Sequence, residues 1–160
     1  MIDGNAINTA PDPHDLFRFV RAQEDNYAQA LAEMRSGRKR SHWMWYVFPQ
    51  FAGLGLSPMS QRYAIRSDAE AEAYLSHPVL GPRLVECFAA VLAVEGRSAF
   101  NIFGSPDDMK LRSCATLFAS VTSAKSVFGQ VIEKYFRNEH DGTTLRLLAA
   151  TRLSEDSGSR

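Results

Sequence analysis

Residues 37–50, GRKRSHWMWYVFPQ, decide the fold class, because they contain the one candidate strand of the chain. The tryptophan, tyrosine, valine and phenylalanine residues here favour a β-strand, whereas Ser41 and Pro49 would bracket two helical turns. No other segment alternates apolar and polar residues as a partner strand would. A helix is therefore favoured for residues 41–48, and the chain is predicted to be all-α.

The rest of the chain predicts helices joined by short connections. The clearest apolar stripe, at spacings of three and four, is Leu84, Cys87, Phe88 and Val91. Ser67 followed by Glu70 is a capping-box pattern and predicts a helix start. Prolines and glycines make residues 49–60 an irregular loop, because neither residue type is stable inside a helix.

Length and composition predict a single domain that folds without disulfides or metal. The chain has 160 residues, which one hydrophobic core can support, and 45% of them are hydrophobic. We expect a compact orthogonal domain of about seven helices over residues 12–150, between a flexible leader, 1–11, and a disordered tail, 151–160. Cys87 and Cys114 lie at core spacing and are expected to be buried free thiols.

Charge and motif content argue against several classes of protein. Lysine plus arginine and aspartate plus glutamate both number 18, so the molecule has no overall field to attract nucleic acid or an anionic membrane. No secretory signal or membrane-spanning run is present, which favours the cytoplasm. P-loop, serine-hydrolase, zinc-protease and Cys-x-x-Cys motifs are absent, and no two histidines have ligand spacing. No metal is expected, and any cofactor is left unidentified.

The basic and aromatic residues of 37–50 predict a ligand site. Arginines and a lysine pass directly into tryptophans, so cations should lie near ring surfaces, an arrangement that binds planar anions by stacking and forked hydrogen bonds. A helix would bring His42 beside Trp45, and His42 is the candidate for proton transfer if the protein is an enzyme. The candidate ligand-binding residues of this stretch are Arg38, Lys39, Ser41, Trp43, Trp45 and Gln50.

Two further segments are candidates to extend this pocket. The loop after residue 50 contains paired glycines, which let backbone amides approach a phosphate, together with Ser60 and Arg62. The same glycines are also typical of a plain tight connection. Lys110, Arg112 and Ser113 would add charge and a hydroxyl group, although their acidic neighbours also fit ordinary surface ion pairs.

Three functions remain open on these grounds. The leading hypothesis is a soluble cytoplasmic domain that binds a small anionic or nucleotide-like ligand and, if catalytic, uses His42. The second is a module for single-stranded nucleic acid with GRKRSH as its basic edge, which the zero net charge disfavours. The third is a protein interaction module with an aromatic docking surface. A purely structural role also fits, with cations at a helix end and tryptophans in the core.

Several unusual peptides occur in one order along the chain. They are Gly37 to Lys39, SHWMW at 41–45, FPQ at 48–50, GLG at 53–55, YAI at 63–65, HPVLG at 77–81, IFG at 102–104 and KLRS at 110–113. Together they resemble an uncharacterised family of small, mainly helical proteins, domain of unknown function 1810, over residues from about 12 to 146. The resemblance implies an α-helical fold and no established activity, catalytic residue or cofactor.

Some relatives in that family carry the label calpastatin, which this sequence argues against. A calpain inhibitor of that type is a disordered polar repeat protein. This chain has no repeat, and its 45% of hydrophobic residues is enough to bury a core. We therefore reject the label.

Overall fold

The computed structural model describes residues 11–158, and over that range the chain forms ten helices and no β-strand. The all-α prediction is confirmed. The helices are α1 Phe17–Gln23, α2 Tyr27–Arg35, α3 Met44–Val47, α4 Pro58–Arg62, α5 Asp68–Ser76, α6 Leu80–Ala93, α7 Ala99–Phe103, α8 Asp107–Ser120, α9 Val127–Phe136 and α10 Gly142–Gly158. They outnumber the expected seven because α3, α4 and α7 have only four or five residues.

The core is built around α6 and α8, which have 14 residues each. Helix α9 packs against both of them, α2 and α5 cover α6, α7 and α10 lie against α8, and α1 packs on α3. Aromatic rings join these layers, with centroid distances of 5.1 Å for Phe48 and Phe88, 4.9 Å for Phe88 and Phe128, and 5.6 Å for Phe128 and Phe118. Such tilted or edge-on pairs each contribute about 0.5–1.5 kcal/mol beyond the area they bury.

The stretch that decides the fold is helical, as predicted, but only over Met44–Val47. Tyr46, Val47 and Phe48 are buried in succession, so the segment has no alternation of buried and exposed sides as a half-buried strand would have. The β-type pairing found within residues 11–158 is one parallel bridge between Phe51 and Ile65.

Both ends of the chain are predicted from the sequence to lack regular structure. The leader predicted for residues 1–11 lies outside the described residues, apart from residue 11. Helix α10 continues to Gly158, eight residues beyond the predicted domain boundary at residue 150. An ion pair of 2.7 Å between Arg152 Nε and Asp68 Oδ2 holds this end of α10 to the start of α5. No helix of the described chain is both long and apolar enough to cross a membrane.

Candidate functional site

The segment between α3 and α5 folds back on itself and borders a recess of about 240 Å³ that is open to solvent. We call this recess the first cleft. Its lining residues are Trp45, Gln50, Phe51, Ala52, Gly53, Gly55, Leu56, Ser60, Gln61, Tyr63, Ala64 and Arg66. Two backbone hydrogen bonds close the loop, from Ala52 N–H to the Ile65 carbonyl at 2.8 Å and from Ile65 N–H to the Gln50 carbonyl at 2.9 Å. The glycine-containing loop therefore forms most of the cleft wall.

Arg18, which the sequence does not single out, holds one side of this loop in place. Its guanidinium donates to the carbonyls of Arg62 and Ala64, both at 2.8 Å, and to the carbonyls of His14 and Asp15 in its own region. It also pairs with Glu70 Oε2 at 2.8 Å, and the two side chains are only 12% and 4% exposed. Because its donors are all engaged, Arg18 is a positioning residue.

Gly55 and Ser60 lie in close contact in the wall of the first cleft. A Cβ atom on Gly55 would lie 2.4 Å from Ser60 Oγ and 2.5 Å from Ser60 Cβ, so only glycine fits there. Ser57 Oγ accepts a hydrogen bond from Ser60 N–H, which starts α4, and donates to Ser60 Oγ at 2.9 Å. Since Ser60 Oγ acts as the acceptor, its own proton is available to a ligand.

Trp45 is half-buried, lines the first cleft and has a cation over its ring. Lys110 Nζ lies 5.5 Å from the ring centroid and 3.6 Å from Asp107 Oδ1. The other oxygen of Asp107 forms an ion pair with Lys39 Nζ at 2.9 Å, and the Lys39 side chain is only 6% exposed. One carboxylate thus lies between two ammonium groups, which leaves positive charge beside the Trp45 ring.

Two polar side chains of the first cleft have donors or acceptors to spare. The side-chain amide of Gln50 makes no hydrogen bond with any residue from 11 to 158, although it lines the cleft. The guanidinium of Arg66 donates once within the same range, to the Gln61 carbonyl at 3.3 Å. An amide and a guanidinium are groups that orient the polar substituents of a ligand.

Glu33, another residue that the sequence does not single out, organises the basic and aromatic stretch. Its Oε1 atom accepts from Arg40 N–H at 2.8 Å, Ser41 N–H at 2.9 Å and Trp43 Nε1–H at 3.0 Å. Its Oε2 atom accepts from Ser41 Oγ at 2.6 Å and Gln29 Nε2 at 3.1 Å. The stretch therefore wraps around a carboxylate that belongs to the protein itself.

The charge of Glu33 is stabilised by this wrapping. Burial alone would raise its pKa, but the hydrogen bonds from Ser41, Arg40 and Trp43 outweigh burial and lower the pKa from 4.5 to about 2. The sequence holds one weak signal for this role, since Glu33 lies between the buried Ala30 and Met34 at spacings of three and one. A carboxylate on the apolar side of a helix requires a partner.

A second cleft, of about 390 Å³, adjoins the first. Its lining residues are Pro13, His14, Asp15, Arg18, Arg62, Arg66, Ser67 and Glu70. Arg62 lies here and not in the first cleft, and its Nε atom donates to the Tyr63 hydroxyl at 3.3 Å. The predicted contribution of Arg62 to a site therefore concerns the second cleft.

The predicted residues of 37–50 separate into two groups. Trp45 and Gln50 meet Ser60 in the first cleft, and Lys110 lies over Trp45. His42 is exposed and lines neither cleft. Trp43 is 1% exposed and its indole N–H is bound by Glu33, so it cannot stack on a ligand. The sequence predicts a recess around His42 with indole walls. The structure has the first cleft instead, which is lined by one indole ring, that of Trp45.

Four other residues predicted to bind the ligand do not line the first cleft. Ser41 donates to Glu33, and Arg38 is exposed outside both clefts. Arg112 donates to the carbonyls of Glu139 and His140, at 2.7 and 2.9 Å, which ties α8 to the segment before α10. Ser113 is buried and donates to a carbonyl of its own helix, so neither it nor Arg112 extends the first cleft.

Comparison with known proteins places the chain in a family. The sequence model of the family described as "Protein of unknown function (DUF1810)" matches residues 13–148. The chain belongs to this family. The crystal structure of the conserved hypothetical protein Rv1873 from Mycobacterium tuberculosis is 54% identical to it, with a TM-score of 0.85, and the alignment covers 86% of this chain and 99% of that one. No curated protein matches the chain. The DUF1810 fold alone therefore assigns no activity.

Proposed function

We propose that this DUF1810 protein binds a small anionic molecule with a planar ring in the first cleft. The observation that carries the proposal is the half-buried ring of Trp45, which lines the cleft and has Lys110 Nζ 5.5 Å from its centroid. An indole stacks planar rings, and a nearby ammonium favours rings that carry negative charge. Gln50 and Ser60 add an amide and a hydroxyl proton that would orient polar substituents.

The proposal concerns binding and leaves catalysis aside, because the proton-transfer candidate His42 lies outside the first cleft. We also propose that the protein is cytoplasmic. Cys87 and Cys114 are buried free thiols, as expected from their spacing, and unpaired thiols are typical of a reducing compartment.

Residues 41–48 do not support the two alternative functions, a nucleic-acid-binding module and a protein interaction module. A single-strand nucleic-acid module needs exposed rings beside its basic edge, yet Trp43, Tyr46 and Phe48 are all buried. An aromatic docking surface needs the same rings to be exposed. Trp45 is the one ring of this stretch that a ligand can reach, and its surroundings suit a small molecule.

A thermal-shift screen of planar carboxylates, sulfonates and phosphates tests the proposal. Compounds that raise the melting temperature of the wild type should also alter its tryptophan fluorescence, because Trp45 is partly accessible. Trp45→Phe should abolish that fluorescence response, since the remaining Trp43 is buried. Lys110→Ala should weaken binding about fivefold or more, as expected for the loss of a cation near an aromatic site.

The control variant is Lys125→Ala, which removes an exposed lysine between α8 and α9, outside both clefts. It should bind the same compounds with wild-type affinity. A screen without any binder would contradict the proposal. So would compounds that bind Trp45→Phe and Lys110→Ala as tightly as the wild type, because they would occupy another surface.

A further inference from the structure

The second cleft is connected to the first through two arginines. Arg66 lines both clefts. Arg62 lines the second cleft, and its guanidinium carbon lies 5.6 Å from the ring centroid of Tyr63, which lines the first. The guanidinium-bearing residue Arg66 is therefore a wall shared by the two clefts.

Volume favours a ligand that uses both clefts. Pockets for small molecules and cofactors usually measure roughly 300–1,000 Å³. The first cleft alone, at about 240 Å³, falls below that range. The second cleft adds about 390 Å³, which brings the combined site inside it. A ligand that extends from one cleft into the other would also bury more of its surface.

The charges of the second cleft favour an anion. The Arg18 and Glu70 side chains neutralise each other at 2.8 Å, and Glu70 Oε1 also accepts from Arg66 N–H at 3.0 Å, so this carboxylate is fully engaged. The two remaining cations, Arg62 and Arg66, face one remaining carboxylate, that of the exposed Asp15. The balance is positive, and both cations are forked donors.

Two further polar side chains lie in the same cleft. Ser67 Oγ accepts from Glu70 N–H at 3.0 Å, which leaves its own proton free to donate outward. The His14 imidazole makes no hydrogen bond within the described part of the chain, although it lines the cleft. Guanidinium, hydroxyl and imidazole groups together match the several oxygens of a phosphate group.

We propose that the second cleft is a phosphate subsite, so that the ligand of the first cleft is a planar heterocycle carrying a phosphate monoester. This inference rests on the proposed function of the first cleft. The ring stacks on Trp45, while Arg66 and Arg62 bind the phosphate oxygens as forked donors. Nucleoside 5′-monophosphates have this chemistry and are the probes of choice.

Isothermal titration calorimetry with the four common ribonucleosides, their 5′-monophosphates and inorganic phosphate tests the assignment. At least one monophosphate should bind about tenfold or more tightly than its own nucleoside, since a hydrogen bond to a charged group is worth at least that factor. Arg62→Ala should reduce this difference, since Arg66 remains, and leave nucleoside affinity unchanged. Asp15→Asn should strengthen monophosphate binding, and asparagine tolerates the positive φ of 51° at this position.

The control is Arg21→Ala, which removes an exposed arginine of α1 that lines neither cleft, and it should leave every affinity unchanged. Equal affinities for nucleoside and monophosphate, or an Arg62→Ala variant that keeps the full preference, would overturn the phosphate subsite and leave the first cleft as proposed. If planar carboxylates bind but no nucleoside, monophosphate or inorganic phosphate does, the phosphate subsite is likewise overturned and the first cleft stands as proposed. If no compound of either set binds, both proposals fall.

Discussion

Replacing Glu33 with glutamine is expected to destabilise the fold by about 3 kcal/mol at neutral pH. The pKa of this carboxyl group is lowered from 4.5 to about 2 in the folded protein. Each pKa unit corresponds to about 1.36 kcal/mol, so a shift of this size amounts to about 3 kcal/mol of folded-state stability. Glutamine has nearly the same shape, which makes the charge and the acceptor count the main changes.

The geometry around Glu33 explains why an amide is a poor substitute. Both carboxylate oxygens accept hydrogen bonds, Oε1 from Arg40, Ser41 and Trp43 and Oε2 from Ser41 and Gln29. In either orientation of a glutamine, the NH₂ group would face donors and leave them without an acceptor. Glu33 is 8% exposed, so water cannot replace the lost bonds easily.

The pH dependence gives the sharper test. Because the folded-state pKa is lowered, the stabilisation is complete above the unfolded value near 4.5 and is lost as the pH falls through about 2. At pH 3, which lies between these two pKa values, about half of it should remain. The difference in unfolding free energy between wild type and Glu33→Gln should therefore fall by about half between pH 7 and pH 3.

Urea unfolding followed by circular dichroism at the two pH values measures this difference. Glu72→Gln is the matched control, because Glu72 is exposed on α5 and makes no hydrogen bond or ion pair within residues 11–158. It should match the wild type at both pH values. A Glu33→Gln variant as stable as this control at pH 7, or a deficit that is the same at pH 3, would refute the role assigned to the carboxylate.

Three further outcomes follow from the contacts. Gly55→Ala should lower the unfolding free energy by about 1–3 kcal/mol through the overlap with Ser60, and adding Ser60→Gly should restore most of it in the same urea assay. Arg18→Met should lower the unfolding free energy by about 3–5 kcal/mol, because it leaves the buried carboxylate of Glu70 without its ion-pair partner. A loss of under about 1 kcal/mol, as for an exposed ion pair, would contradict this. Arg152→Ala should cost under about 1 kcal/mol, since the side chain is 46% exposed, yet amide exchange over residues 151–158 should become faster.

Local patterns predicted the helices well. The N-cap predicted from Ser67 and Glu70 is present, with Ser67 Oγ accepting from Glu70 N–H at 3.0 Å at the start of α5. The reciprocal half of a capping box is not formed, because Glu70 Oε1 accepts from Arg66 N–H instead. The apolar stripe of Leu84, Cys87, Phe88 and Val91 is buried on α6 as its spacing indicates. These features depend on residues within one or two turns of each other, so the sequence displays them directly.

The candidate site was predicted only in part. Trp45, Gln50 and Ser60 meet in the first cleft, whereas His42 lies outside it and Trp43 is buried. A helix of four residues is too short for its periodicity to determine which rings turn outward. The orientation of Trp43 is instead determined by its hydrogen bond to Glu33 on the preceding helix.

The sequence by itself determined the helical class, the helix starts and the residue types available for recognition, because these depend on neighbours along the chain. Only the tertiary structure decided which of those residues share a cleft. Arg18 bonds Arg62, Ala64 and Glu70 across 44, 46 and 52 positions, and these bonds shape the walls of both clefts. Contacts over such separations leave no period in the sequence, since they arise when helices pack and buried polar groups must find partners.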